Sequence, residues 1–267
     1  MSTPEDTRDD RLRRQAVAHL ELLQREGVWG LDLAASRESP SAGESRASVA
    51  GSSLQAASTI SDGQAGLFGG GGNGGGGGRP TDETLEQIES EALECVACRL
   101  HEGRNKVVFG VGNPEARLLF IGEGPGRDED LQGEPFVGRA GKLLTKIIVA
   151  MGYEREDVYI ANTVKCRPPQ NRNPQADEMD ACEHFLLRQV AVIQPQIIVL
   201  LGKVAVQAIL GSTAPLSRLR GKFQTWRGIP VMCTYHPAYL LRNPNAKRDV
   251  WDDMQVVRDA LAESSRP

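Results

Sequence analysis

The sequence predicts an α/β chain, a three-layer α/β/α sandwich around a short, mainly parallel four-stranded sheet. Two observations predict the class, and a third predicts where it works. Short apolar runs at 117–121, 158–161, 197–201 and 229–234 have the length and β-branched content of buried strands. Segments with helical spacing separate them, and such alternation packs helices on both faces of a parallel sheet. Each run also ends in unusual residues, where open α/β sheets bind ligands.

The elements follow in order. Leu12, Ala16, Leu20 and Leu23 recur at helical spacing within residues 10–27, and Gly27 can end that helix. From about residue 36 to residue 80 the composition collapses to Ser, Ala and Gly, with a nearly pure glycine run at 69–78. Such a segment buries too little surface to offset its ordering entropy, so it predicts a flexible linker. The organisation expected is a helical segment at 1–35, a disordered linker at 36–81 and a folded domain at 82–267. In the domain, Leu85, Ile88 and Ala92 share one helix face that leads into a cysteine pair. Helices are expected at 140–151, closed by Gly152, and from Asn173-Pro174 to Ile193, with Asn as N-cap and Pro at the first helical position. Further helices are expected at 203–210 and 245–261. Residues 223–226 and 229–234 flank Arg227-Gly228 and read as a hairpin or a paired strand.

Composition narrows the function. The formal net charge of −4 offers no basic carpet, so nucleic acid would have to meet local patches. No stretch approaches the roughly 18 apolar residues of a membrane span, and the N-terminus lacks an apolar signal region. A soluble, monomeric, cytoplasmic protein is expected, with no membrane partner. Five cysteines without a secretion signal argue against a disulfide framework. Cys233 sits in an apolar run and reads as a small buried hydrophobe.

The strand exits carry the chemistry. The first leads into Gly122-Glu123-Gly124-Pro125-Gly126-Arg127-Asp128-Glu129-Asp130, which fits neither the dinucleotide nor the Walker pattern, and its acidic residues repel phosphate. The second leads into Asn162-Thr163-Val164-Lys165-Cys166, the third into Gly202-Lys203, and the last into Tyr235-His236-Pro237-Ala238-Tyr239. His236 differs from His19, His101 and His184 in following a strand and preceding a proline-stiffened loop. Basic residues cluster near the same exits: Arg139, Lys142 and Lys146; Lys165, Arg167 and Arg172; Arg218, Arg220 and Lys222; Arg242, Lys247 and Arg248. Ringing one cleft, they would form a phosphate-binding face; the alternative is ordinary solvated surface.

Cys95-Val96-Ala97-Cys98 can clamp one side of a metal centre. Cys166 follows a strand exit, and Cys182 lies in the next helix with fifteen residues between them. Structural zinc usually shows two tight pairs. One tight pair and one spread pair suit an iron–sulfur cubane held by four thiolates, with zinc still open at this point.

Five stretches then resemble one family. They are Cys95-Val96-Ala97-Cys98-Arg99-Leu100, Gly122-Glu123-Gly124-Pro125-Gly126, Pro135-Phe136-Val137-Gly138, Asn162-Thr163-Val164-Lys165-Cys166-Arg167-Pro168-Pro169 and His236-Pro237-Ala238-Tyr239-Leu240-Leu241-Arg242. In order and spacing the chain from about Leu85 to Leu261 resembles the family 4 uracil-DNA glycosylases, iron–sulfur base-excision enzymes of bacteria and archaea. The resemblance implies that fold, one [4Fe–4S] cluster on Cys95, Cys98, Cys166 and Cys182, and hydrolysis of the bond between uracil and deoxyribose in single- and double-stranded DNA. The uracil must leave the base stack and enter a pocket.

The roles implied are specific. Phe136 stacks on uracil. Asn162 reads its Watson–Crick edge with one donor and one acceptor, a pattern that cytosine reverses. His236 donates to the uracil oxygen as charge develops. Glu123, Gly124 and Gly126 line the pocket. Better-known family 1 enzymes carry an aspartate where this chain has Gly124, so Glu123 or Glu129 is expected to activate water, with Asn171 as a positioning partner. Arg139, Lys142, Arg167, Pro237 and Arg242 are expected at DNA, and Leu240 or Leu241 as the wedge that fills the gap. No basic insertion follows the first loop, so normal turnover without a covalent adduct is expected. The cluster is expected to be structural. A non-enzymatic iron–sulfur nucleic-acid binder and an enzyme of broader base choice are the competing readings. In the linker, Gln64, Leu67 and Phe68 resemble a sliding-clamp-binding peptide, a match that three positions can also reach by chance.

Overall fold

Residues 83–264 are described by a computed structural model. The expected N-terminal helix, the linker and the peptide around Gln64, Leu67 and Phe68 lie outside the described residues.

Thr84 caps the first helix, α1 (Leu85–Glu94), through a reciprocal pair with Gln87. The chain then passes a short 3-10 turn (Arg99–Glu102), β1 (Val111–Gly112) and β2 (Leu118–Gly122). Helices α2 (Arg127–Gln132) and α3 (Arg139–Ala150) lead to β3 (Tyr159–Asn162). A 3-10 turn (Arg155–Asp157) comes just before β3, and a third (Pro169–Asn171) precedes the long α4 (Ala176–Ile193), β4 (Ile197–Leu201) and α5 (Lys203–Leu210). The chain closes with α6 (Leu216–Leu219), β5 (Phe223–Trp226), β6 (Ile229–Thr234), α7 (Pro237–Arg242) and α8 (Ala246–Glu263).

Among the described residues the sheet has six strands, not four, in the order β1-β3-β2-β4-β6-β5. The four inner strands are parallel, and β1 and β5 pair antiparallel at the edges. The added edges explain the difference from expectation. β1 has only two residues, too few for an apolar pattern. β5 is partly exposed along its length and was legible only as a partner of β6.

Both sheet faces are covered. Leu119, Ile121, Ile198, Leu200 and Val231 pack with α1, α4 and α5 on one side. Leu118, Phe120, Val199, Leu201 and Met232 pack with α3, α7 and α8 on the other. Successive residues of a strand point to opposite faces, so a continuous apolar run feeds two cores at once. Two-sided burial also fixes register, because a slip of one residue would exchange the faces.

The long helix starts later than Asn173-Pro174 would have it. Gln175 is the N-cap, and Glu178 reaches back to its N–H at 2.8 Å. Glu178 is fully buried and takes Arg172 at 2.7 and 2.6 Å in a bidentate pair, while Arg99 approaches at 3.6 Å. These guanidiniums hold the Glu178 carboxyl below the usual carboxylate range, the Arg172 hydrogen bond being the largest cause. The pair thus ties the α4 start both to the 168–173 loop and to the segment after Cys98. Glu178→Ala would leave Arg172 without its counter-charge. A loss of about 2–3 kcal/mol is expected, read by urea unfolding of the purified protein.

Candidate functional site

The exits of β2, β3 and β6 converge on a cleft of about 430 Å³. That is the range of small-ligand sites. Glu123, Gly124, Gly126, Glu129, Phe136, Asn162, Asn171, His236 and Arg242 line it, so the structure brings together every residue expected in the pocket. Pro125, Ala140, Pro168, Arg172, Asn173 and Tyr239 line it too.

Asn162 is the last residue of β3 and pairs in parallel register with Gly122. Its side chain is buried, and its Oδ1 finds no hydrogen-bond partner among the described residues. An unsatisfied buried acceptor is costly, and at a cleft wall it calls for a ligand donor. Gly122 makes this placement possible. A Cβ there would lie 2.4 Å from Asn162 Oδ1 and 2.6 Å from the Phe136 ring.

Phe136 holds a left-handed backbone, φ 55°, which is strained for an aromatic residue. Helix α3 presses against that backbone through Gly141, where a Cβ would stand 1.7 Å from the Phe136 carbonyl oxygen. Glu129 braces the same turn, its Oε1 accepting from the N–H groups of Val137 and Gly138 at 3.0 Å each. Its Oε2 makes no hydrogen bond among the described residues. Glu123 is half-buried, and burial pushes its carboxyl up.

His236 caps α7. Its Nδ1 accepts from the Ala238 N–H at 3.1 Å, which leaves the ring proton on Nε2. Burial, aided by Arg242, pulls its pKa down to about 4, so the ring is neutral near pH 7. The ring lies 5.5 Å from that of Phe136. Gly202, at φ +92°, lets the β4 exit pass close beneath it, since a Cβ there would meet the His236 Cβ at 3.0 Å. Asn171 is exposed, at φ 55°, and its Oδ1 accepts from Arg167 Nε at 2.7 Å.

The basic residues separate into two groups. Lys165 is buried, Arg172 is bound to Glu178, and Arg220 pairs with Asp249 and Asp253. These three hold the fold. Arg139, Lys142 and Arg242 are exposed and form no ion pair among the described residues. Lys247 lies near enough to Lys146 for the like charge, after burial, to pull it down. Two expected DNA contacts need correction. Leu240 is buried among α3 and α8 residues at 1 % exposure, because its helical position faces the core; Leu241, at 38 %, is the exposed one. Pro237 is buried as well.

Cys95, Cys98, Cys166 and Cys182 line a separate small cavity with His101, Arg104 and Lys165. All four are free thiols. Arg104 Nη1 donates to Cys166 Sγ at 3.3 Å and to the Cys95 carbonyl at 2.7 Å. The Lys165 N–H donates to Cys182 Sγ at 3.3 Å. Among the described residues no three ligand side chains close tightly enough to hold a single ion. Four sulfurs ringing a cavity, two of them accepting N–H bonds, fit a larger anionic cluster. Cys233 is buried in β6, away from this set.

Sequence reasoning missed Gly141 and the burial of Lys165, and it named Gly202 only as a strand exit. The need for glycine at 141 arises from the Phe136 backbone folding back against it, which no residue pattern announces.

Residues 109–255 match the family model of the uracil DNA glycosylase superfamily. A type-4 uracil-DNA glycosylase of Thermotoga maritima is 46% identical over 184 residues, 67% of this chain and 96% of that protein. Another, from Archaeoglobus fulgidus, is 43% identical over 183 residues, 66% and 92% of the two chains. A third, from Sulfurisphaera tokodaii, is 42% identical over 186 residues, 66% and 84%.

Two outcomes test the geometry. Gly122→Ala is expected to cost about 1–3 kcal/mol in urea unfolding and to displace Phe136 or Asn162 in a crystal structure. An imidazole that ionises near 4 when folded and near 6.5 when free binds fewer protons in the folded state. Its contribution to stability is complete above pH 6.5 and is lost as the pH falls toward 4. His236→Gln should flatten that part of the stability–pH curve, and nitrogen NMR should find Nε2 protonated at neutral pH.

Proposed function

The chain belongs to the uracil-DNA glycosylase superfamily, and from this premise we infer that it excises uracil from DNA as a type-4 enzyme, hydrolysing the N-glycosidic bond to start base excision repair. The observation that carries the reading is the unpartnered Asn162 Oδ1 at the cleft wall beside Phe136 and His236.

Uracil supplies what that atom lacks. Its N3–H donates to Oδ1 while its O4 accepts from Nδ2; cytosine presents the opposite pattern. Phe136 covers one face of the flipped base. The Nε2–H of the neutral His236 meets the uracil oxygen that gains negative charge as the bond breaks. A neutral donor suits this task, because it carries its proton at working pH and keeps it. Between the two carboxylates, Glu129 is the water-positioning group. Two backbone N–H bonds fix it, and one oxygen is left for solvent, whereas burial of Glu123 disfavours its charge. Arg139, Lys142 and Arg242 meet phosphates of single- or double-stranded DNA, and Leu241 enters the gap left by the base.

Cys95, Cys98, Cys166 and Cys182 would hold one [4Fe–4S] cluster, which supplies a cross-brace between the α1 end, the β3 exit and α4. The N–H···S bonds from Arg104 and Lys165 and the nearby cations support that assignment. Among the described residues no helix is long and apolar enough to cross a membrane.

Incubation with uracil-containing oligonucleotides, followed by alkaline cleavage of abasic sites, is expected to yield strand breaks on both single and double strands. Intact strands would overturn the reading. In the same assay His236→Ala is expected to slow release by about 10²–10³-fold. Glu129→Ala is expected to slow release while leaving DNA affinity in a gel-shift assay unchanged; unchanged turnover would return the role to Glu123 or to leaving-group stabilisation alone.

A further inference from the structure

Lys165 does not line the cleft, yet it joins the cleft to the cysteines. Its side chain is among the largest that are fully buried. Nζ donates to the backbone carbonyl of Asn162 at 3.1 Å and to Gln189 Oε1 at 2.5 Å. Gln189 is itself held, donating to the Phe109 carbonyl at 3.1 Å and to the Tyr159 hydroxyl at 3.3 Å. The Lys165 N–H donates to Cys182 Sγ, its carbonyl accepts from the Val108 N–H at 2.8 Å, and the next residue is Cys166. One residue therefore contacts the base-reading strand end through its side chain and two cysteine positions through its backbone.

The arrangement has a cost. A buried ammonium loses its hydration, and here two acceptors serve three donors. An apolar chain of equal length would fill the space without that loss. What an apolar chain could not do is hold the Asn162 peptide. Asn162 ends a strand, and the Thr163 N–H of the following peptide donates back to the Gly122 carbonyl at 3.0 Å. The Nζ bond holds the other side of that peptide, the Asn162 carbonyl.

We propose that Lys165 is a positioning residue that fixes the Asn162 peptide to the cysteine-bearing loop, so that the cluster site and the base-reading amide keep one shared geometry. The proposal rests on Asn162 as base reader and on the four thiols as cluster ligands, as inferred above.

The test uses the holoenzyme and Lys165→Met, which keeps the stem and removes the donors. Cluster content is read from visible absorbance, the cluster potential from protein-film voltammetry, and kcat and KM from uracil release on single strands. Lys165→Met is expected to keep a full cluster and an unchanged KM. Its kcat is expected to fall on the order of 10–100-fold, the scale of a small misplacement at a reacting centre. The potential should shift negative, because a nearby positive charge is gone. A wild-type kcat in Lys165→Met, or a kcat that falls only in proportion to cluster loss, overturns the proposal. If Lys165→Met does not fold, Gln189→Met carries the test. It frees the ammonium from its second acceptor and should show the same kcat-selective loss at smaller size; unchanged kcat in that variant overturns the proposal. A wild-type protein that releases no uracil defeats the underlying reading along with this one, whereas a fully active Lys165→Met defeats this one alone.

Discussion

Gly122 and Asn162 face each other at the last rung of the parallel ladder between β2 and β3. That register is a constraint on everything around the cleft. It sets the Asn162 amide oxygen in the space a side chain at 122 would need, with the Phe136 ring against the same spot. Shifting either strand by one residue would turn Asn162 toward the opposite core and bring an apolar residue to the cleft. The two apolar cores hold the register, so the binding geometry draws on the hydrophobic burial of the whole sheet rather than on the cleft alone.

Buried charge forms a second level of organisation. Glu178 secures the α4 start and the 168–173 loop through Arg172, and Asp130 accepts from Asn105 and Lys106 to tie α2 to the segment after the first cysteine pair. Asp253 accepts from Thr234 at 2.6 Å and pairs with Arg220, locking α8 to the end of β6 just before His236. Burial pushes the Asp253 carboxyl up, against these partners. Each of these charges sits beside a strand exit. Breaking such a pair is costly even where forming it is not especially favourable, so the loops around the cleft resist displacement.

Much of this was legible in the sequence. Apolar runs flanked by glycine and proline located the four inner strands, because a strand buried on both faces needs no alternation. The strand exits held the pocket residues for a topological reason, since parallel strands all end on one side. The edge strand β1, the start of α4 and the fate of Leu240 were not legible. Each depends on what a distant element presents: β3 to Val111, Arg172 to Glu178, and α3 and α8 to Leu240. The basic residues near the exits looked alike in the sequence. Only their partners separate Arg172 and Arg220, spent on carboxylates, from Arg139, Lys142 and Arg242.

The cap on α7 has a consequence for proton transfer. Because Nδ1 of His236 is committed to the Ala238 N–H and Nε2 carries the proton, the ring has no lone pair to offer a water molecule. Asn162 has none of sufficient basicity either. Any proton of the nucleophile therefore has to go to a carboxylate, and Glu123 and Glu129 are the two that line the cleft. A single backbone hydrogen bond at the start of a six-residue helix thus confines His236 to the side of the leaving base.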